Sequence, residues 1–170
     1  MGKVIISAGM KLHCHSKEGV IGAIISYNNR KCALTAYHIL RAGNCSVGDK
    51  ITLNGYSGKV VEVKEEADLA IISIDALDEE VNISKIATPE IGPAYSLNGF
   101  KRINCRVMTV GRTYHYLAFP MGNLPLPGDS GSPIIQDGKV VGILASIFYN
   151  NATGIALAID KFKIHSEDNL

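Results

Sequence analysis

The chain has 170 residues, 46% of them hydrophobic and 19% charged, with a formal net charge of +1. That length fits one domain or two small lobes with a substantial core. The near-neutral charge gives no broad electrostatic case for nucleic acid or a membrane surface, and the longest apolar runs, such as residues 140–148, are too short to span a bilayer.

Taken in order, the chain is a series of short β-prone runs separated by turn residues. Residues 1–6 lack the long apolar core and cleavage site of an export signal, so a cytoplasmic location is expected. His13-Cys14-His15 reads as a polar strand or loop. With Cys32 it could offer metal ligands, but the spacing fits no standard zinc pattern, and neither a metal nor another cofactor is expected. Runs 20–26 and 31–35 flank the polar turn Tyr27-Asn28-Asn29-Arg30 and read as a hairpin. Residues 36–41 could form one short helical turn. Residues 51–53 end at Asn54-Gly55, a hairpin signal, and residues 56–63 continue it. A further run spans 68–74.

Residues 75–92 break the pattern with an acidic stretch and a Pro/Gly cluster, and they read as the connection between two halves. The expected division is an N-terminal lobe over 1–75, a linker over 76–92 and a C-terminal lobe over 93–170. Strand-like runs resume at 94–100, 103–110 and 114–119. Runs 133–136 and 139–147 flank Asp137-Gly138, another hairpin signal, and 154–159 is the last run. Residues 160–165 read as a short terminal helix. Many short strands on both sides of a linker suggest sandwiches or barrels. The even count of Cys14, Cys32, Cys45 and Cys105 would permit two disulfides in a secreted chain, but without an export signal free thiols are expected.

Three segments carry the chemistry. In Pro127-Gly128-Asp129-Ser130-Gly131-Ser132-Pro133 a serine sits between glycines, with prolines on both sides. Such a loop can project one hydroxyl while aiming backbone N–H groups into the same space, the two things acyl transfer needs. In Leu34-Thr35-Ala36-Tyr37-His38-Ile39-Leu40 a histidine follows a strand. In Glu66-Ala67-Asp68-Leu69-Ala70-Ile71-Ile72 an aspartate heads one. An acid beside an apolar run tends to be partly buried and then needs a hydrogen-bonded partner, which a histidine supplies. The bland readings are a tight turn, a core histidine and a strand-start cap.

Thr-Ala-x-His, Asp-Leu-Ala-Ile and Gly-Asp-Ser-Gly-Ser-Pro, in that order, resemble the trypsin/chymotrypsin family of serine proteases. The likeness runs from about Val20 to Ile159. Residues 128–143 are also similar to sporulation-type and viral trypsin-like peptidases. The intervals of 30 positions from His38 to Asp68 and 62 from Asp68 to Ser130 suit the compact bacterial and viral members better than animal enzymes. The resemblance implies an all-β fold of two packed antiparallel six-stranded barrels, with His38 and Asp68 from the first barrel and Ser130 from the second. It implies a serine endopeptidase acting on a peptide or protein substrate, with Ser130 as nucleophile, His38 as base, Asp68 orienting it, and the N–H groups of Gly128 and Ser130 as the oxyanion hole. The disulfide often found next to the family's histidine is not expected here.

The same likeness assigns the floor of the main specificity pocket to Leu124 and its walls to Ala145, Ser146, Ile147 and the region of Gly154. No acidic residue falls there, so an apolar or small side chain is expected before the scissile bond, not Lys or Arg. His115 could line the pocket, but an exposed strand histidine is expected. Secreted relatives pair the aspartate before the serine with a new amino terminus released by cleavage. Here Asp129 is expected to pair with an internal group or solvent. The alternatives are a non-catalytic peptide-binding module on the same fold, or an esterase with the same triad.

Overall fold

The computed structural model describes residues 4–166. The outermost residues of the two expected lobes, 1–3 and 167–170, lie outside it. Among the described residues, thirteen strands form two antiparallel units. The first unit holds β1 (Lys11–Cys14), β2 (Lys17–Val20), β3 (Ala23–Tyr27), β4 (Arg30–Ala36), β5 (Lys50–Leu53), β6 (Tyr56–Lys64) and β7 (Leu69–Asp75). A six-residue helix, α1 (Tyr37–Ala42), follows β4. The second unit holds β8 (Gly92–Asn98), β9 (Lys101–Thr109), β10 (Tyr114–Ala118), β11 (Pro133–Gln136), β12 (Lys139–Phe148) and β13 (Thr153–Leu157). A terminal 3-10 helix spans Asp160–His165.

Local backbone chemistry sets the hairpins. At Asn28-Asn29, Asn54-Gly55 and Asp137-Gly138 both central residues have positive φ, the two-residue turn whose twist matches the flanking strands. Asn, Asp and Gly tolerate that region better than other residues. The second unit closes into a barrel in the order β10-β13-β12-β11-β8-β9. Alternate residues of β9, such as Ile103, Cys105 and Val107, point inward and meet Leu117, Ile134, Val141, Leu144 and Ala156 in one core.

The first unit differs from the expected six-stranded barrel. It is a curled sheet of seven strands, ordered β2-β1-β5-β6-β7-β4-β3. The run 20–26, which reads as one strand, breaks after Val20. The reason is Gly22, where an added Cβ would lie 2.6 Å from Ile143 Cγ1 and 2.7 Å from the Gly131 carbonyl oxygen. The chain bends so that the second unit can approach the backbone itself. The β1–β2 hairpin is the added piece. Its strands bury only Leu12, Cys14, Gly19 and Val20, too short an alternation to stand out in sequence.

The segment between the units is stitched to both. Ile24 N–H donates to Ser84 Oγ at 2.9 Å on the first side. Val140 N–H donates to Lys85 O at 2.8 Å, and Ala87 N–H to Val140 O at 3.1 Å, on the second. The larger core runs through this seam, since Ile143, Leu157, Ile159 and Phe162 pack with residues of the first sheet.

The expectation of four free thiols fails. Cys14 and Cys45 form a disulfide, with Cα atoms 6.3 Å apart. The end of β1 lies against the loop leaving α1, close enough that a Cβ on Gly43 would strike Cys14 Sγ. Both sulfurs are thereby consumed, so the cluster Cys14, His15 and Cys45 cannot act as a three-ligand site in this state. Cys32 and Cys105 remain free and buried. Burial pushes their thiols up to about 11 and about 12, so they stay protonated and inert.

The bond closes a 31-residue separation. By chain entropy its loss should cost roughly 3–4 kcal/mol of unfolding free energy. Urea denaturation of the Cys14→Ser, Cys45→Ser double variant against the parent checks this.

Candidate active site

Asp68 organises the first half of the site. It stands between a 3-10 turn (Glu65–Ala67) and β7, with φ 51° and ψ 40°, a left-handed conformation that Asp tolerates. The β4–β7 pairing, which sets Ala36 opposite Leu69, brings Asp68 beside the start of α1. No side chain of α1's own caps it. Asp68 does so from across the sheet. Its carbonyl accepts Tyr37 N–H at 2.8 Å, and Oδ1 accepts His38 N–H at 2.8 Å. The other carboxylate oxygen, Oδ2, accepts Nδ1–H of His38 at 2.8 Å. One acid therefore fixes both the backbone and the ring of the histidine. With its proton on Nδ1, the ring presents the Nε2 lone pair to Ser130 Oγ, 3.2 Å away.

Ser130 belongs to the second half. A 3-10 turn (Pro127–Asp129) delivers it, and Gly131 follows with φ +92°. A side chain at Gly131 would strike the Val20 carbonyl and the Thr35 hydroxyl. That close approach lets Val20 N–H donate to Ser130 O at 3.0 Å, tying the serine's own backbone to the first sheet. Gly131 N–H and Leu144 N–H make two further bonds of 2.8 Å, to Leu144 O and Ser132 O, which dock the turn on β12. Gly128 is the middle residue of the 3-10 turn. Ser130 N–H points to Pro127 O at 3.3 Å, a long bond.

Asp129 is turned inward, 3% exposed. Its Oδ1 accepts from Asn98 Nδ2 at 2.8 Å, and its Oδ2 accepts from Lys101 Nζ at 2.8 Å and Leu126 N–H at 2.7 Å. Burial alone would raise its pKa. The bonds from Asn98, Lys101 and Leu126 outweigh burial and hold the carboxyl below its ordinary value.

Beside Ser130 lies a cavity of about 270 Å³ walled by Leu126, Pro127, Leu144, Ala145, Ile147 and Tyr149. Ser146 also lines it, and no charged side chain does. Of the residues expected to shape such a pocket, Ala145, Ser146 and Ile147 line this one. Leu124 instead packs against the barrel core, and Gly154 lies behind Ile147 as its strand partner. Leu126, Pro127, Leu144 and Tyr149 line the cavity without being implied by the resemblance. A second cavity, about 370 Å³, opens on the other side of Ala145 and Ser146, between His38, Arg41 and Glu65. A larger one, about 610 Å³, lies on the outer face of the first sheet between Lys50, Lys59 and Asp75 and touches none of these residues.

His115 is not an exposed strand residue. It is 1% exposed, because it alternates with Leu117 on the inner face of β10. Nδ1 accepts Gly111 N–H at 3.2 Å, and Nε2 faces Asp160 Oδ1 at 3.8 Å. Burial depresses its pKa, and Asp160 opposes that only in part.

A family model described as "Equine arteritis virus serine endopeptidase S32" matches residues 14–158. No curated protein matches the chain. Among solved structures, Nocardiopsis protease NAPase is similar with a TM-score of 0.73 and 13% identity, over 93% of this chain and 94% of that one. Thermobifida fusca Protease A is similar with a TM-score of 0.73 and 12% identity, over 94% of each chain. A glutamic acid specific serine protease that uses a histidine triad in substrate binding reaches 0.70 at 12% identity, over 92% of this chain and 95% of that one. At these identities the likeness concerns the fold, which is chymotrypsin-like.

Because burial lowers the His115 pKa in the fold below its ordinary value of 6.5, its contribution to stability is present above that pH and is lost as pH falls from there through the lowered folded value. Urea midpoints should drop between pH 7.5 and pH 5.5, and the drop should shrink in His115→Gln.

Proposed function

The chain belongs to the S32 serine endopeptidase family, and from that premise we propose that it cleaves peptide bonds through an acyl-enzyme on Ser130, after an apolar or small residue. The observation that supports this most is the unbroken relay of hydrogen bonds, 2.8 Å from Asp68 Oδ2 to His38 Nδ1 and 3.2 Å from His38 Nε2 to Ser130 Oγ. Ser130 Oγ attacks the substrate carbonyl while His38 Nε2 takes its proton. The tetrahedral intermediate collapses as His38 returns that proton to the leaving amine. Water then repeats the cycle in reverse order on the acyl-enzyme. Asp68 holds the ring in the tautomer that can accept, and stabilises the imidazolium once formed.

The oxyanion would lie against the N–H groups of Gly128 and Ser130. The latter exchanges its long bond to Pro127 O for the developing charge, a donor worth about 3 kcal/mol. Substrate backbone would add to β12. Ile143 is the last β12 residue paired with β11, and Leu144 is taken by the serine loop; beyond Leu144 that edge of β12 has no neighbouring strand among the described residues, and an extended chain can pair there. Successive side chains of such a chain point to opposite sides. One enters the uncharged cavity beside Ser130 and the next faces the cavity beside His38.

A fluorophosphonate probe should label the native protein once and leave Ser130→Ala unlabelled. Absence of labelling on the native protein would sink the catalytic reading and leave the binding module. Asp68→Asn should keep the fold and lower kcat by about 10⁴-fold. Cleavage profiling on a proteome-derived peptide library should return apolar or small residues before the cut. A preference for Lys or Arg there would refute the pocket assignment, and ester turnover without any peptide cleavage would favour the esterase.

A further inference from the structure

The Asp129 carboxylate is the most densely bonded buried group near Ser130, yet it takes no part in the relay. Its three donors have different origins. Leu126 N–H is local and closes the 127–129 turn. Asn98 and Lys101 come from another part of the second barrel, where they face one another across the tip of the β8–β9 hairpin. Lys101 lays its stem along the surface, with the side chain 41% exposed, and carries its ammonium inward to a carboxylate that is only 4% exposed. Asp129 also bonds through its backbone. Its N–H donates to Leu126 O at 2.9 Å, and its carbonyl accepts Ser132 Oγ at 2.6 Å and Ser132 N–H at 3.1 Å. Any rotation of Asp129 therefore moves the peptide that carries Ser130.

The hairpin tip is itself held. Gly99 N–H donates to Gly9 O at 2.7 Å, and Gly9 packs against Leu97 so closely that a Cβ there would lie 3.0 Å from Leu97 Cδ2. Gly9 in turn donates its N–H to Ile21 O at 2.7 Å, and Ile21 N–H donates to Met10 O at 2.8 Å. A continuous chain of contacts thus runs from the first sheet through residues 9–10 to the hairpin tip, and from the tip to Asp129.

We propose that Lys101 and Asn98 are positioning residues for Ser130. By gripping the buried Asp129 carboxylate they hold the 127–129 turn in the shape that presents the hydroxyl to His38. The positive charge on this aspartate comes from an internal side chain, so the turn is ordered without a charged terminus released by cleavage. A buried carboxylate stripped of its cation must protonate or move toward water, and either change loosens the turn next to the nucleophile. The inference rests on the reading of Ser130 as the nucleophile.

The test is steady-state kinetics on a peptide chosen by library profiling, together with fluorophosphonate labelling and thermal melts, for the parent, Lys101→Met, Lys101→Gln and Lys101→Arg. In Lys101→Met, kcat should fall by about tenfold to a hundredfold with KM changed less than about threefold, as a misplaced reacting group costs rate and not binding. Lys101→Arg should recover kcat, since a guanidinium can also pair with the carboxylate. Intact mass should show the active parent to be uncleaved. If the parent reacts with the probe and a folded Lys101→Met keeps the parent's kcat, the positioning role is wrong while the nucleophile stands. If the parent itself does not react, both are wrong. If Lys101→Met and the polar Lys101→Gln both fail to fold, Lys101 is structural and the proposal is overturned. Activity that appears only after nicking of the parent overturns it as well.

Discussion

The arrangement depends on how closely two backbones approach. Gly22 faces Ile143 and the Gly131 carbonyl, and Gly131 faces the Val20 carbonyl and the Thr35 hydroxyl, so the two halves meet at two glycines that have no side chain to hold them apart. Through that gap Val20 N–H reaches Ser130 O, while the hydroxyl of Thr35 holds the Val20 carbonyl at 2.8 Å. His38 and Asp68 ride on the first sheet and Ser130 on the second, 92 positions on from His38. A hydrogen bond between side chains on different sheets needs their separation fixed to a few tenths of an ångström. Backbone contact achieves that better than side-chain packing, because main chain has no rotamers to adjust. The shared core of Ile143, Leu157 and Phe162 with the first sheet stiffens the seam further.

Within the first sheet, one carboxylate solves two problems. A six-residue helix with no cap of its own is a poor platform. Asp68 supplies the missing acceptors for Tyr37 and His38 and orients the imidazole with its second oxygen. The far end of α1 is secured independently. Gly43 abuts Cys14, and the disulfide to Cys45 ties the loop after the helix to β1. The histidine is thus held from both ends of a very short element. On the second barrel the serine turn is treated the same way, pinned by Leu144 on one side and by the Asp129 cluster on the other.

What could be read from the sequence was local. Asn28-Asn29, Asn54-Gly55 and Asp137-Gly138 announce their turns because positive φ is a property of those residues, and the strands flanking them follow. The segments bearing His38, Asp68 and Ser130 stand out for a similar reason, each combining a polar group with its own strand or turn context. What escaped depends on partners far along the chain. Cys14 meets Cys45 only through the β1–β5 pairing and the path of α1. The break at Gly22 is dictated by Ile143, 121 positions away. For His115 the sequence does hold a signal against the expected exposure. The residue shares strand parity with Leu117, which is fully buried, and that parity sends both side chains inward. The resemblance assigns the pocket floor to Leu124 by its distance from the serine along the chain, which says nothing of the path between them. In the fold Leu126 lines the cavity, while Leu124 packs against the barrel core.

The margin of β12 past Leu144, with no strand beside it among the described residues, carries a liability along with its proposed use. Main-chain pairing at a sheet border does not discriminate by source, so on the proposed binding mode any stretched polypeptide would compete for it. Competition would come from fragments just released, from denatured chains and from other molecules of this protein. On that mode a short peptide blocker would need shape and main-chain polarity alone, with no reactive group.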